Sequence, residues 1–144
     1  WEKDTRFAGS FLDASDPDLA EFEERGGKLI LWHGWSDPAL SALRTIDYYE
    51  EVQQVDPAAS DHVRLFMLPG VLHCAGGPGP DRVDWVDVIA DWVENGNAPD
   101  QLVASKSQGG EVVRTRPLCA YPQRAFYSGA GSTDEAASFE CREP

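Results

Sequence analysis

Two short apolar runs organise the chain. Lys28-Leu29-Ile30-Leu31-Trp32 follows a glycine pair, and Val63-Arg64-Leu65-Phe66-Met67-Leu68 is stopped by Pro69-Gly70. Unbroken runs of this length fit strands buried on both faces of a parallel sheet. Between them, Ser41 to about Gln54 carries Leu43, Ile46, Tyr49 and Val52 at helical spacing, and Asp56-Pro57 breaks the pattern. Asp81 to Asn95 predicts the clearest helix. Its apolar face is Trp85, Val86, Ile89, Trp92 and Val93, and Gly96 then Pro99 punctuate its end. A first helix is predicted over residues 13–25, with Asp16 as cap, Pro17 at the first helical position and Gly26-Gly27 as terminator.

The order is helix, strand, helix, strand, helix, which predicts α/β layers around a parallel sheet. Right-handed crossovers put the loops after both strands at the same sheet edge, above the strand C-termini. Two strands are too few for an independent parallel sheet, so neighbours outside the chain are expected. On its own the chain is expected to be marginally stable or oligomeric. Past residue 98 the pattern weakens. Leu102-Val103-Ala104 and Glu111-Val112-Val113 read as short strands, and residues 117–144 as a loop-rich tail. There are no internal repeats or low-complexity tracts.

Composition narrows the partners. The 144 residues are 42% apolar, with five Trp and six Phe, enough for a folded core. The formal charge, 12 − 25 = −13, repels nucleic acid and anionic membrane, so neither is an expected partner. No apolar run approaches the roughly twenty residues a membrane span needs. The chain opens on Trp1, with neither initiator Met nor signal peptide, the kind of start that truncation or processing leaves.

The cysteines are Cys74, Cys119 and Cys141, an odd count. A Cys119–Cys141 bridge would close a loop in the tail and leave Cys74 alone beside a histidine. Three reduced cysteines are the other reading, and spacing does not decide between them.

Asp37, in Trp-His-Gly-Trp-Ser-Asp-Pro, and His73, in the glycine-rich loop after the second run, follow consecutive strands. Acid then base is the α/β-hydrolase order once a serine precedes both. A carboxylate at one strand tip can accept from the histidine Nδ1–H at the next, which fixes the tautomer and stabilises the imidazolium formed in catalysis. Taken singly, each residue has a blander reading. Asp-Pro before a helix is a common turn, and His73 can be an ordinary loop histidine. No serine in the chain lies in nucleophile-elbow surroundings.

His33-Gly34 is similar to the oxyanion loop of lipases, but no Gly-x-Ser-x-Gly follows it, so His33 reads as structural. A metal site from His33, His73 and Cys74 lacks supporting spacing. Gly76-Gly77-Pro78-Gly79-Pro80 lacks the Gly-Lys-Ser/Thr ending of a phosphate loop and reads as a rigid turn. The tryptophans of the last helix read as core.

Several segments resemble the tannase and feruloyl esterase family. They are residues 26–38, Asp47-Tyr48-Tyr49, Pro69 to Pro80 with its His73-Cys74-Ala75-Gly76-Gly77-Pro78-Gly79 core, Trp92 to Asp100, and Arg116 to Pro122. The resemblance covers nearly the whole chain. It implies that residues 1–144 are the C-terminal part of one α/β-hydrolase catalytic domain, with Asp37 as triad acid and His73 as base. It also implies that Cys74 bridges to a cysteine preceding the nucleophilic serine.

By the same resemblance, the serine, the oxyanion donors, most of the lid and the lid's calcium-binding loop lie upstream, leaving no cofactor in this chain. The expected function is secreted or periplasmic serine hydrolysis of small phenolic esters, feruloyl or galloyl, with the N-terminal half or a complementing chain as partner. The rivals are a non-catalytic acidic binding module derived from a truncated hydrolase, and a lidless hydrolase of the dienelactone-hydrolase type.

Overall fold

The computed structural model describes Gly9 and residues 12–144. Trp1, on which the reading of the chain's start rests, lies outside them. Strands β1 (Leu29–Gly34) and β2 (Val63–Leu68) pair in parallel, from Leu29 opposite Val63 to Gly34 opposite Leu68. Helix α2 (Ala42–Val55) crosses between them.

The strands are apolar except at His33, Gly34 and Arg64 because both faces are covered. Leu29, Leu31, Val63 and Leu65 turn toward Ile46, Tyr49 and Val52 of α2. The alternate residues Ile30, Trp32, Phe66 and Leu68 turn the other way, toward Val71, Ala104, Leu118 and Trp85. Period-two alternation of the backbone sorts one run into two cores. Phe66 is 0% exposed at the centre of the second core. Phe66→Ala is expected to cost about 3–5 kcal/mol, read as a lower urea midpoint at unchanged slope.

Helix α1 is only Ala20–Glu24, not residues 13–25. The upstream aspartates fold back on their own backbone: Asp13, Asp16 and Asp18 each accept from the N–H two residues on. Such Asx turns compete with helix, so Asp16 caps a turn rather than the helix. Helix α3 is Trp85–Asn95, starting four residues later than the pattern predicts. Asp84 accepts from Asp87 N–H as its cap, while Arg82 is drawn into a bridge with Ser105.

The apolar faces are narrower than the spacing implies. Trp92 is buried, but Val86 (73%) and Val93 (57%) are exposed on α3, and on α2 Leu43 is exposed while Ala42 is buried. The exposed ones face away from the two cores.

Strands β3 (Gln101–Gln108) and β4 (Glu111–Cys119) form an antiparallel hairpin, longer than the short strands predicted, turning at Gly109-Gly110. Its end reaches the sheet. Ala120 pairs with Phe66, and Tyr121 N–H donates to Leu65 O, covering the outer edge of β2. The far edge of β1 pairs with no strand among the described residues. The tail is loop-rich over residues 128–138 but also carries the strand pair β5 (Arg124–Tyr127) and β6 (Phe139–Arg142). A Cys119–Cys141 disulfide ties it to β4.

Candidate active site

Both loops above the strand tips are fixed by backbone contacts. Trp35 N–H donates to Leu68 O and Ser36 N–H to Val71 O, stitching the loop after β1 to the loop after β2. Gly34 is required at this crossing, because a Cβ there would strike the Val71 and Leu72 carbonyls. The His-Gly pair that resembles an oxyanion loop is therefore a packing device. The His73 loop closes on itself through Leu72 N–H to Gly76 O, Ala75 N–H to His73 O and Gly79 N–H to Gly70 O. Gly79 also lies too close to Pro69 O for any side chain.

Asp81 anchors the loop's far end, accepting from Gly76 N–H and from Lys106 Nζ. Burial pushes its carboxyl up, but the Gly76 N–H and the Lys106 ammonium outweigh that and hold it below its ordinary value.

This scaffold brings Asp37 and His73 together. Asp37 Oδ2 lies 2.7 Å from His73 Nδ1. The acid is buried and the base open: their side chains are 3% and 51% exposed. Asp37 Oδ1 accepts from Ala39 N–H and Leu40 N–H at 2.7 and 3.0 Å. The His73 hydrogen bond, helped by the Leu40 and Ala39 N–H groups, holds the Asp37 carboxyl well below the usual carboxylate range, against the opposing pull of burial. An ionised carboxylate can only accept, so His73 carries its proton on Nδ1 and offers the lone pair of Nε2.

His33 also belongs to this group, which the sequence reading did not see. Its Nε2 lies 3.1 Å from the same Asp37 Oδ2, and its Nδ1 lies 2.7 Å from Thr45 Oγ1. The i, i+4 spacing of His33 and Asp37 across a strand-end turn was the available signal. With both nitrogens engaged, His33 is no partner for a metal shared with His73 and Cys74.

Cys74 is an exposed free thiol whose backbone takes φ +62°. It lines an open pocket of about 200 Å³ with Trp32, His33, Asp37, Leu40 and His73. A larger cleft, about 310 Å³, lies beside Arg64 and Tyr121. There Arg64 is paired with Asp100 and Tyr121 with Glu50, so it holds no poised acid–base pair.

Among the described residues, Glu23, Asp56 and His62 form a group of metal-type donors. Glu23 faces His62 Nδ1 and Asp56 faces Nε2, each at 3.6 Å. The carboxylates face opposite nitrogens of the ring, with one donor atom of each residue within 4.8 Å of the others. Two carboxylates and an imidazole fall short of the six to eight oxygens calcium takes. No helix among the described residues is long and apolar enough to cross a membrane.

Known proteins resemble the chain along most or all of its length. The chain is 49% identical over its whole length to the mono(2-hydroxyethyl) terephthalate hydrolase of Piscinibacter sakaiensis, matching 25% of that protein. It is 35% identical to the tannase of Aspergillus oryzae over 85% of this chain and 23% of the relative. Among solved structures, tannin acyl hydrolase from Aspergillus niger superposes with a TM-score of 0.83 at 31% identity, over 99% of this chain and 27% of that one. Feruloyl esterase B from Aspergillus oryzae gives 0.82 at 30%, over 88% and 29%. The chain thus spans about a quarter of the length of the relatives it matches. The family model "Tannase and feruloyl esterase" matches residues 2–142, and the chain, an α/β-hydrolase-type fold by its structural neighbours, belongs to that family.

Proposed function

We propose that this chain supplies the acid and base of a serine carboxylic-ester hydrolase acting on phenolic esters. The 2.7 Å contact between Asp37 Oδ2 and His73 Nδ1, on the tips of adjoining parallel strands, carries the reading. A serine outside these residues would attack the ester carbonyl while His73 Nε2 takes its proton. His73 then protonates the departing alkoxide, and water repeats the cycle on the acyl-enzyme. Asp37 stays ionised throughout and orients the imidazole. The names of the feruloyl esterase and tannin acyl hydrolase relatives support the phenolic class, and the terephthalate hydrolase extends it to an aromatic ester without a phenol.

Residues 1–144 form the C-terminal part of one catalytic domain in this reading. The edge of β1, unpaired among the described residues, and the exposed Leu40, Leu43 and Leu72 are surfaces for the nucleophile-bearing part to cover. Cys74, beside the base, would bridge to a cysteine next to the serine and clamp the two loops. The implied calcium would sit in the lid, outside this chain. The Cys119–Cys141 bridge favours a secreted or periplasmic protein.

The isolated chain is expected to give no serine-dependent turnover of a chromogenic phenolic ester, and to gain it when joined to the preceding part of its domain. Robust hydrolysis by the chain alone, blocked by a serine-directed phosphonate, would place a nucleophile within it. No hydrolysis from the joined protein would favour the acidic binding module.

A further inference from the structure

We propose that His33 is a positioning residue of this site: held as the Nε2–H tautomer by Thr45, it donates a second imidazole hydrogen bond to Asp37 and so fixes the carboxylate on His73. This rests on the esterase reading of Asp37 and His73. The local chain path makes the contact. His33 is the last residue but one of β1, and the Asp37 N–H closes a turn onto Gly34 O, so residue 37 folds back beside residue 33. Thr45, in the first turn of α2, returns over the same strand tip.

Proton bookkeeping then leaves little freedom. Asp37 Oδ1 takes two backbone donors and Oδ2 takes two imidazoles, which fills the four lone-pair sites of a carboxylate. Asp37 held ionised cannot donate, so His33 Nε2 must carry hydrogen. A neutral His33 then presents a lone pair at Nδ1, and the Thr45 hydroxyl at 2.7 Å is the donor that satisfies it. The His33 side chain is only 12% exposed, so water is a poor substitute for either partner. The relay runs Thr45 to His33 to Asp37, with His73 donating from the other side.

The two bonds to Oδ2 are unequal, 2.7 Å from His73 against 3.1 Å from His33. His33 is the supporting donor, and it keeps Oδ2 from swinging away from the base. Loss of that support leaves a buried acceptor short of one partner, and a carboxylate that rotates to recover it no longer selects the Nδ1–H form of His73.

The test uses the 15N-labelled chain itself, because imidazole nitrogen shifts report tautomers without turnover. At neutral pH, His33 is expected as Nε2–H and His73 as Nδ1–H. In His33→Phe, His73 should become a mixture of tautomers. In His33→Gln, whose amide N–H can stand in for Nε2–H, His73 should remain Nδ1–H. Thr45→Val, which removes the hydroxyl and keeps the bulk, should move the His33 Nδ1 resonance toward that of an unbonded nitrogen.

In the joined, nucleophile-bearing protein, His33→Phe should lower kcat between about tenfold and a hundredfold at unchanged KM, the scale of a small misplacement of a reacting group, and Gln should recover most of it. His33 found doubly protonated or as Nδ1–H overturns the proposal. So does an unchanged His73 tautomer in His33→Phe, or a Gln variant no better than Phe. If His33→Phe does not fold, Thr45→Val and His33→Gln carry the same decision. A joined protein inert toward esters would sink the esterase reading, while the tautomer spectra judge the His33–Asp37–His73 coupling on their own.

Discussion

Replacing Asp37 with Asn is expected to lower the turnover of the nucleophile-bearing protein by about 10⁴-fold, as loss of the orienting carboxylate does in serine triads. The size follows from a proton. Asn is isosteric but has a single oxygen, so the Ala39 and Leu40 N–H groups keep an acceptor only when the NH₂ faces the two imidazoles. The atom facing His73 Nδ1 at 2.7 Å then becomes either an amide NH₂ or a neutral carbonyl that must also serve His33. The NH₂ orientation forces His73 into the Nε2–H form, which cannot take a proton from a serine. The carbonyl orientation gives up the stabilising charge under the imidazolium. Single-turnover kinetics on a chromogenic phenolic ester would check this, and a variant within tenfold of the parent would remove Asp37 from its role.

The depressed acidity of Asp37 adds a sign. Its folded value lies below its unfolded one, chiefly through the His73 hydrogen bond. The stability it contributes is therefore complete above the ordinary carboxylate range, and it is lost progressively as pH falls from that range to the depressed folded value. Acid loss of activity at mildly acidic pH is then not a titration of Asp37. The Asn variant should lack this part of the acid dependence of unfolding, which urea midpoints at several acidic pH values would show.

What the sequence conveyed best was whatever depends on period and punctuation. The runs ending at Trp32 and Leu68 are strands because their apolar residues serve two cores, and the loops behind them hold Asp37 and His73. Local competition was harder to read. Asp13, Asp16 and Asp18 look like helix-start residues, yet three successive Asx turns consume the backbone that a helix needs. Residues 81–84 read as a first helical turn until the hairpin claims Arg82. His33 was set aside because its value lies in a tertiary contact: β1, the turn and α2 must all be in place before Thr45, His33 and Asp37 meet. Leu43, Val86 and Val93 fit the helical spacing but lie outside the cores, since spacing marks an apolar stripe without stating what covers it.

Removing the Cys119–Cys141 bridge, by Cys119→Ala with Cys141→Ala, is expected to cost about 3 kcal/mol, the chain-entropy value for a loop of about 23 residues. That corresponds to a fall of roughly 10 °C in Tm for a chain of this size. Little else makes good the loss. The β5–β6 ribbon has four residues in each strand, a size that does not stand alone in water. Its remaining ties to β4 are the Arg114–Asp134 ion pair, hydrogen bonds from Thr115 N–H to Asp134 O, from Ala136 N–H to Thr115 Oγ1 and from Arg116 to Thr133 O, and Arg116 stacked on Phe139, while Arg142 stacked on Phe126 braces the ribbon itself. Exposed ion pairs and stacked cations contribute about 1 kcal/mol or less each.

The damage should be graded along the chain. Hydrogen exchange is expected to rise first over residues 124–142. It should then rise at Ala120 and Tyr121, whose contacts with Phe66 and Leu65 seal the outer edge of β2. An opened β2 edge frees the strand that carries the His73 loop, so the bridge supports the base from about two elements away. Urea unfolding with and without reductant measures the effect in the unaltered chain, and coincident midpoints would show that the tail holds without its bridge.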